Sequence, residues 1–480
     1  MSDRGDYGRA GGSAVYRERV VVEKGLRRCP PSVHLNGEPC KLLDISMSGC
    51  RIEARDAFGR FPEGSSCELR IAIGAHVVFL GAAQVVRGDE ERRQLALTVP
   101  AGFINVPDML DRHAKLLLEM ELAEYAAARA VVPPDYRLAV EALADFYRFH
   151  RNLFRAREAA LRERGGKAEA DVAELTRHAY EQMLPTWHTL KAAAASSALV
   201  HLDDPVRWMA MKRVTERALT LDLLGAPLIE RAYTKPLGYA GDYRTMTFVY
   251  AHAFEGASVT DRVFHRFVAD EPLAEGVRRR KDLMKEYTFA QLAQRSRPSG
   301  ARMRVMSLGC GPALEVLEIA KDHSWRGPIS WTLVDQEAQA LSLAYSEIYP
   351  TLQGAGEVRG DIRCLNVPLR RILKERMKPQ EAQDLIYAAG LFDYLEDAVA
   401  RSLLELLAQS LSPGGMIAVG NARRDDVNFW VPEFLLDWAL LYRSKEEMLH
   451  LADGLGPEFE RSVVMEPAQA YWFLCIRRVA

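Results

Sequence analysis

The alternation of short apolar segments with helical stretches after residue 300 restricts the possible folds of this chain most. Segments typical of buried strands occur at residues 305–308, 329–334, 357–359, 384–388 and 416–420. Helical stretches separate most of them, which is the βα order of an open, mostly parallel sheet. Residues 461–465 and 471–478 then predict two strands joined at Glu466 and Pro467, an antiparallel hairpin at the sheet edge.

Two regions of different character precede this one. Residues 17–100 contain short apolar segments with turn residues between them, including Asn36-Gly37, so an all-β barrel or sandwich is expected. Residues 106–297 carry apolar side chains at helical spacing. The chain has 480 residues, more than the roughly 250–300 that one core holds. The sequence therefore predicts three domains, a β-barrel over 15–105, a helical region over 106–297 and a doubly wound α/β domain over 298–480.

Charge and cysteine content argue against several classes of protein. Lysine and arginine total 63 and the acids 65, a net charge of −2 that gives no whole-chain field for nucleic acid. The seven cysteines form no C-x-x-C pair, so neither a disulfide framework nor a zinc site is expected. No segment approaches the ~20 apolar residues of a membrane helix, and no signal peptide is evident. We expect a cytoplasmic protein with no metal and no nucleic-acid partner, and a solvated helix face at residues 278–281.

A glycine-rich turn follows the first strand of the α/β region. In LGCGPALEV (308–316), Gly309 and Gly311 let the backbone approach a ligand, and the next helix presents free N–H groups. Asp335 ends the second strand, where a carboxylate can accept both hydroxyls of a ribose or cap the following helix. Residues 360–362, 389–395 and 421 are expected to follow three further strands. Because parallel strands end at one sheet edge, these loops should line one crevice.

This combination resembles the class I S-adenosylmethionine-dependent methyltransferases over about residues 300–480, including the terminal hairpin. The resemblance implies that S-adenosylmethionine binds in the crevice, with Asp335 on the ribose and Asp361 on the adenine amino group. It also implies that the glycine turn binds the methionine moiety. The cofactor-binding set is then Gly309, Cys310, Gly311, Asp335, Asp361, Ile362 and Ala389.

A longer resemblance involves four segments, GYAGDY (238–243), LGCGPALEV (308–316), AAGLFDYL (388–395) and LDWALLYR (436–443). Together they resemble the bacterial 3-hydroxypalmitic acid methyl ester biosynthesis methyltransferases over about residues 110–460. The resemblance implies methylation of a hydroxylated fatty acid to a methyl ester that serves as a quorum signal. Ala439 stands where that family usually has histidine. The implied catalytic or acceptor-binding residues are Tyr239, Asp242, Tyr243, Asp393, Tyr394 and Arg443.

These segments also have structural interpretations. GYAGDY could be a helix-capping turn in which Asp242 binds backbone N–H groups while the tyrosines pack. Arg443 could pair with a carboxylate of the protein instead of anchoring an acid substrate. The chemistry favours an acid acceptor, because a carboxylate is ionised at neutral pH and needs no general base. No histidine occurs in the crevice loops.

The N-terminal region contains the pattern D-x-S-x-x-G within LLDISMSGCRIE (42–53), between two predicted strands. With the arginines upstream it resembles a PilZ domain, which implies binding of cyclic di-GMP through Arg27, Arg28, Asp44, Ser46 and Gly49. The R-x-x-x-R arm of that family is here Lys24-x-x-x-Arg28. A turn in which Asp44 and Ser46 satisfy backbone groups is the structural alternative. Two functions follow, a methyltransferase that cyclic di-GMP regulates, or a cyclic di-GMP effector with an inactive methyltransferase fold that acts by docking.

Overall fold

The protein is described from a computed structural model. The structure describes residues 20–22, 26, 28–54, 58–163, 168–294, 302–322, 328–354, 360–424 and 428–479. The chain divides into two compact units, residues 1–127 and 128–480. The expected domain boundary between 297 and 298 lies outside the described residues. The helical region after residue 128 and the α/β region belong to one compact unit, and the division into three domains stays a prediction.

The first unit contains one antiparallel sheet of seven strands. They are β1 (Val20–Val21), β2 (Ser32–Leu35), β3 (Glu38–Ser46), β4 (Gly49–Glu53), β5 (Ser66–Ile73), β6 (His76–Asp89) and β7 (Gln94–Thr98). Their order is β1-β3-β2-β5-β6-β7-β4, and β3 also pairs with β4, so β2 to β7 close into a six-stranded barrel. Asn36 (φ 47°) and Gly37 (φ 83°) form the two-residue hairpin turn between β2 and β3. The expected barrel is confirmed, while its identity as a PilZ domain stays a prediction.

Eight long or medium helices follow the barrel. They are α1 (Val106–Val131), α2 (Pro134–Glu163), α3 (Ala168–Leu199), α4 (Pro205–Ala218), α5 (Pro227–Thr234), α6 (Tyr243–Ala251), α7 (Val259–Ala269) and α8 (Pro272–Gln294). The sequence predicted a single helix over 260–294, but α7 ends at Ala269 and α8 begins at Pro272. Proline cannot continue a helix as an interior residue but fits its first turn.

The α/β region of the second unit is built on a seven-stranded sheet. Its strands are β8 (Met303–Leu308), β9 (Ile329–Asp335), β10 (Gly360–Asn366), β11 (Gln383–Ala388), β12 (Leu411–Ala422), β13 (Phe459–Met465) and β14 (Tyr471–Arg478). The order is β10-β9-β8-β11-β12-β14-β13, and β8 to β12 are parallel. β14 is antiparallel to both of its neighbours. The expected mostly parallel sheet is therefore confirmed.

Shorter helices connect these strands, and one long helix from the helical region packs against the sheet. The connecting helices are α9 (Leu314–Lys321), α10 (Ala338–Gln353), α11 (Leu369–Glu375), α12 (Asp397–Ala408) and α13 (Lys445–His450). Helix α8 contacts β11, β12 and β14. This contact explains why the helical region is not a separate unit, and it brings side chains of α8 to the sheet.

The structure also bears on membrane and metal binding. Among the described helices, none has the length and apolar character needed to cross a membrane. Within the same residues, no group of three or more histidine, cysteine or acidic side chains could hold a metal ion.

Candidate active site

A cavity of about 370 Å³ lies in the second unit at the carboxyl ends of β8, β9 and β11. This volume falls in the range of small-molecule sites, about 300–1,000 Å³. Its lining comes from GYAGDY, from the glycine-rich turn, from the exits of β9 and β10 and from the segment after β11. Met246, Tyr250 and Arg280 complete it from the helical region. Segments far apart in sequence therefore meet at one site, as the shared sheet edge predicted.

The glycine-rich turn uses the left-handed backbone conformation that glycine favours. Gly309 has φ 63° and Gly311 has φ 54°, and a β-carbon on Gly311 would meet no atom within 4 Å. The cavity therefore approaches the bare backbone at Gly311. Ala313, two residues after Gly311, adopts the same conformation (φ 48°) without being glycine and immediately precedes α9. Cys310 also lines the cavity, and burial raises the pKa of its thiol.

Asp335 connects the glycine turn to the exit of β9. Its carboxylate accepts hydrogen bonds from the N–H groups of Gly311 (2.8 Å) and Glu337 (2.9 Å), and it lines the cavity. Burial raises the pKa of this carboxyl group. The residue that precedes α10 is Glu337, so Asp335 is not the helix cap. Carboxylate oxygens have lone pairs beyond one bond each, so Asp335 retains acceptor capacity for ligand hydroxyls.

The expected position of Asp361 and Ile362 at this crevice is wrong. In the parallel pairing of β10 with β9, Gly360 lies opposite Ile329 and Asn366 opposite Asp335. Asp361 therefore lies near the beginning of its strand, six residue steps and roughly 20 Å of extended chain from the cavity edge. Its carboxylate instead bonds to Arg302 and Ser330. The exit of β10 contributes Val367 to the cavity.

The GYAGDY segment divides between a capping role and a cavity role. The Oδ1 atom of Asp242 accepts the N–H groups of Arg244 and Thr245, both at 2.9 Å, at the start of α6. Asp242 is fully buried, pairs with Arg231 at 2.8 Å and does not line the cavity. The capping alternative is therefore correct for Asp242, and its catalytic assignment is not supported.

Both tyrosines of this segment line the cavity. The hydroxyl of Tyr239 donates to the carboxylate of Glu337, which follows the exit of β9. The hydroxyl of Tyr243 lies 3.3 Å from Oε1 of Gln339. The segment thus reaches the β9 side of the crevice through these two side chains.

The segment at the end of β11 and after it, residues 388–395, also divides between residues that line the cavity and residues that contact the protein. Ala389 and Tyr394 line the cavity, and the ring centroid of Tyr394 lies 6.3 Å from that of Tyr239. Asp393 is 4 % exposed and does not line the cavity. Its carboxylate accepts the N–H of Ala422 at 2.6 Å. Burial, opposed by the nearby Arg280, raises the pKa of Asp393 to about 6. Its direct catalytic assignment is therefore not supported by its position.

Arg443 is not available as a substrate anchor in this cavity. Its guanidinium donates to the carbonyl oxygens of Phe392 (3.0 Å) and Leu395 (2.5 Å) and to Oδ1 of Asn421 (2.5 Å). It also pairs with Asp397 at 2.8 Å. Arg443 is buried and absent from the cavity lining. The alternative that it pairs with the protein is correct, and its contacts hold residues 392–397 in place.

The cavity residues that were not predicted from the sequence include three with ionisable side chains, Tyr250, Arg280 and Glu315. Burial raises the pKa of Glu315, whose carboxylate accepts the hydroxyl of Tyr387 at 2.8 Å. Arg280 was expected on a solvated face, yet it is 6 % exposed. A signal was present, because Arg280 follows Leu273 and Val277 and precedes Met284 at helical spacing, and all are buried.

In the barrel, the described residues of the cyclic di-GMP prediction are occupied by contacts within the first unit. Arg28 pairs with Glu121 (3.0 Å) and Glu124 (2.9 Å). Asp44 is buried and pairs with Arg51 at 2.8 Å. Arg27 lies outside the described residues.

The β3–β4 turn of the barrel has the contacts of the structural alternative at Ser46. Ser46 Oγ donates to the carbonyl of Gly49 at 3.2 Å. A β-carbon on Gly49 would lie 2.0 Å from the Leu97 carbonyl oxygen, so this position requires glycine.

No protein-family model matches the sequence, and no curated protein matches it. Solved structures with similar folds include a possible exported protein of Bordetella parapertussis, 17% identical (65% of this chain, 97% of that one, TM-score 0.39). Another is N-methyltransferase NodS of Bradyrhizobium japonicum with S-adenosyl-L-homocysteine, 18% identical (44% and 89%, TM-score 0.28). Magnesium protoporphyrin IX methyltransferase of Synechocystis PCC 6803 is 12% identical (52% and 98%, TM-score 0.35).

Proposed function

We propose that the protein is an S-adenosylmethionine-dependent methyltransferase that converts a small acid, a hydroxylated fatty acid, to its methyl ester. The observation that carries this proposal is the convergence of residues 238–243, 308–316 and 388–395 on one cavity at the carboxyl ends of parallel strands. The antiparallel β14 between β12 and β13 supports the class, because class I methyltransferases end their sheet in such a hairpin and dehydrogenases do not.

The residues of the cavity suit S-adenosylmethionine. The open space at Gly311 admits a ligand close to the backbone, and Asp335 offers acceptor oxygens for ribose hydroxyls. Val367 and Leu369 supply apolar surface for a planar base at the exit of β10. When bound, S-adenosylmethionine supplies a methyl group on a positively charged sulfur.

An acid acceptor fits the remaining side chains. A carboxylate oxygen forms the new bond to the methyl carbon while the methyl–sulfur bond breaks and its electron pair stays on sulfur. No proton moves, so alignment of the carboxylate is the main requirement. The described residues that line the cavity include no histidine, which agrees with a reaction that needs no general base. Met246, Leu391 and Leu395 offer apolar surface for a hydrocarbon chain.

The proposal is tested by calorimetric titration of the purified protein with S-adenosylmethionine, followed by incubation with 3-hydroxy acids. Micromolar binding and mass-spectrometric detection of a methyl ester are the expected results. A protein that binds no S-adenosylmethionine is not a methyltransferase, and the proposal then fails. If RNA or protein in a lysate is methylated and no ester forms, the acceptor is a macromolecule and not a small acid.

We further propose cyclic di-GMP as a regulatory ligand of the barrel. The D-x-S-x-x-G turn between β3 and β4 supports this proposal, and the Arg28 side chain is 53% exposed and could exchange its acidic partners for a phosphate. Arg28→Ala should weaken cyclic di-GMP binding at least tenfold, as the loss of a charge-assisted contact of about 1.5–3 kcal/mol requires. Arg60→Ala, which removes another exposed arginine of the barrel, is the matched control. Cyclic di-GMP binding without methyl transfer to any acid would favour the docking effector.

A further inference from the structure

Arg280 is a buried cation at the cavity with few partners of its own. Among the described residues, its buried Nε and Nη1 atoms make no hydrogen bond, while its Nη2 atom lies 3.8 Å from the Met246 sulfur and the buried Tyr250 hydroxyl lies beside the guanidinium. A guanidinium stays protonated at any pH a protein experiences. Buried polar donors in folded proteins normally have hydrogen-bond partners, since leaving them unpaired destabilises the fold. The Nε and Nη1 donors thus find no hydrogen-bond partner among the described residues, and a ligand in the cavity would supply one.

The neighbours of Arg280 fix its orientation without using its N–H donors. The Tyr471 ring lies 4.7 Å from its Cζ atom, a cation–π contact. On another side is Gly390, where a β-carbon would lie 2.6 Å from Nη2 and 2.8 Å from Cζ. The carboxylate of Asp393 comes no closer than 3.8 Å, too far for a hydrogen bond. The guanidinium is thus held by an aromatic ring, a bare backbone and an ion pair with Asp393 that is too long for a hydrogen bond.

The cavity that Arg280 lines is the one that the glycine turn lines. Arg280 enters it from α8, beside Tyr250, Gly390 and Tyr394 of the acceptor side. An arginine fork matches the two oxygens of a carboxylate in spacing and charge. Burial strengthens the attraction, because the surroundings screen charge less than water does.

We propose that Arg280 binds the carboxylate of the acceptor acid. The methylation of that carboxylate rests on the proposed function, whereas the binding of the acid does not. This assignment takes the acid-anchoring role that Arg443, fully engaged with the protein, cannot fill. It also has a consequence for the product, because a methyl ester carries no charge and pairs poorly with a guanidinium.

Calorimetric titrations of the full-length protein with 3-hydroxydecanoate and its methyl ester test this proposal. The acid should bind at least about tenfold tighter than the ester, as the loss of one charge-assisted pair requires. Arg280→Met should reduce acid affinity by about tenfold or more and change ester affinity less than about twofold. Arg280→Lys, which keeps the charge but not the fork, should lie between them. Arg279→Met, which removes an exposed neighbour paired with Glu275, is the control and should bind the acid normally.

Thermal unfolding separates a binding role from a structural one. At about pH 4, where the neighbouring Asp393 is protonated and needs no cation, Arg280→Met should keep or raise the unfolding midpoint, because it removes a buried charge whose Nε and Nη1 donors are unpaired. The inference is overturned if Arg280→Met binds the acid as the parent does, if its acid loss accompanies a lowered midpoint, or if the parent binds no 3-hydroxydecanoate. Titration of the same proteins with S-adenosylmethionine distinguishes the two proposals. If the protein binds the cofactor and binds the acid equally well without Arg280, only this inference is overturned. If it binds the acid through Arg280 but does not bind the cofactor, only the proposed function is overturned.

Discussion

Trp438 donates its indole N–H to the hydroxyl of Tyr394 at 2.8 Å, and Gly241 lies against both side chains. A β-carbon on Gly241 would lie 2.5 Å from the Tyr394 hydroxyl and 2.7 Å from the Trp438 ring. Segments 238–243, 388–395 and 436–443, which are distant in sequence, thus meet at one contact beside the cavity. The glycine is required here by the closeness of the two rings.

Gly241→Ala should therefore impair acceptor turnover more than cofactor binding. Tyr394 and Trp438 must move to admit the methyl group, and overpacking of this kind costs about 1–3 kcal/mol. We expect kcat/KM for the acid to fall by about tenfold or more, with the Kd for S-adenosylmethionine changed less than about threefold. Gly354→Ala, at a position where a β-carbon meets no atom within 4 Å, is the control. Normal turnover by Gly241→Ala would mean that this contact does not shape the site.

The positions of Asp335 and Asp361 predict that the same substitution weakens S-adenosylmethionine binding at the first residue and leaves it unchanged at the second. Asp335→Asn removes a charged acceptor at the cavity edge, and hydrogen bonds to charged groups contribute about 1.5–3 kcal/mol. The Kd for S-adenosylmethionine should rise by about tenfold or more. Asp361→Asn, at the far end of β10, should leave it unchanged. Equal losses in the two variants, measured by calorimetry, would contradict the described register of β10.

Asp393 should make the stability of the protein depend on pH. Burial, against the opposing charge of Arg280, raises its pKa from 3.8 to about 6, so the native state favours the neutral acid. Its stabilising contribution is fully present below about pH 4 and is lost as the pH rises through about 6. At about 1.4 kcal/mol per pH unit, the parent should lose roughly 3 kcal/mol relative to Asp393→Asn across this range.

Urea unfolding of the parent and of Asp393→Asn at pH 4 and pH 7.5 measures this difference. Asp145→Asn removes an exposed carboxylate of the same unit and serves as the control. Parallel pH profiles for the parent and Asp393→Asn would show that Asp393 does not titrate in this range.

The helical region contains a buried ion pair, and the losses of unfolding free energy caused by removing each partner alone should not add up in the double variant. Lys191 Nζ lies 2.7 and 2.9 Å from the carboxylate oxygens of Glu271, and both side chains are 4% exposed. Lys191→Met should lower the free energy of unfolding by about 3–5 kcal/mol, because Glu271 is left buried and unpaired. The double variant with Glu271→Leu should recover most of that loss. Additive losses in the double-mutant cycle would contradict this account.

Local patterns predicted the glycine-turn edge of the cavity well and the strand at the sheet edge poorly. Gly311 and Asp335 line the cavity, as a turn and a strand exit set by a few consecutive residues indicated, while their binding roles stay predictions. Asp361 was misplaced because β10 is an edge strand whose residues are mostly half-exposed, so it lacks the apolar run that identified the buried β11. The loop expected at residues 360–362 is in fact the start of this strand.

The roles of arginines could not be assigned from sequence, because they depend on distant parts of the chain. Arg443 lies in one of the four segments that suggested the family. Its partners are nevertheless two carbonyl oxygens and a carboxylate more than forty residues away, at Phe392, Leu395 and Asp397. Arg280 lies in a charged run that resembles an exposed helix face. Only the packing of α8 against β11, β12 and β14 turns its side chain toward the cavity.

Helix α8 and the sheet loops supply different parts of one cavity. Arg280 belongs to Pro272–Gln294, whereas Gly311 lies in the loop after β8 and Asp335 ends β9. In the proposed roles, the charge that selects an acid and the groups that hold the methyl donor thus come from separate stretches of the chain. Related chains that keep Gly311 and Asp335 but lack an arginine at position 280 should then share the methyl donor and lose the preference for a charged acid.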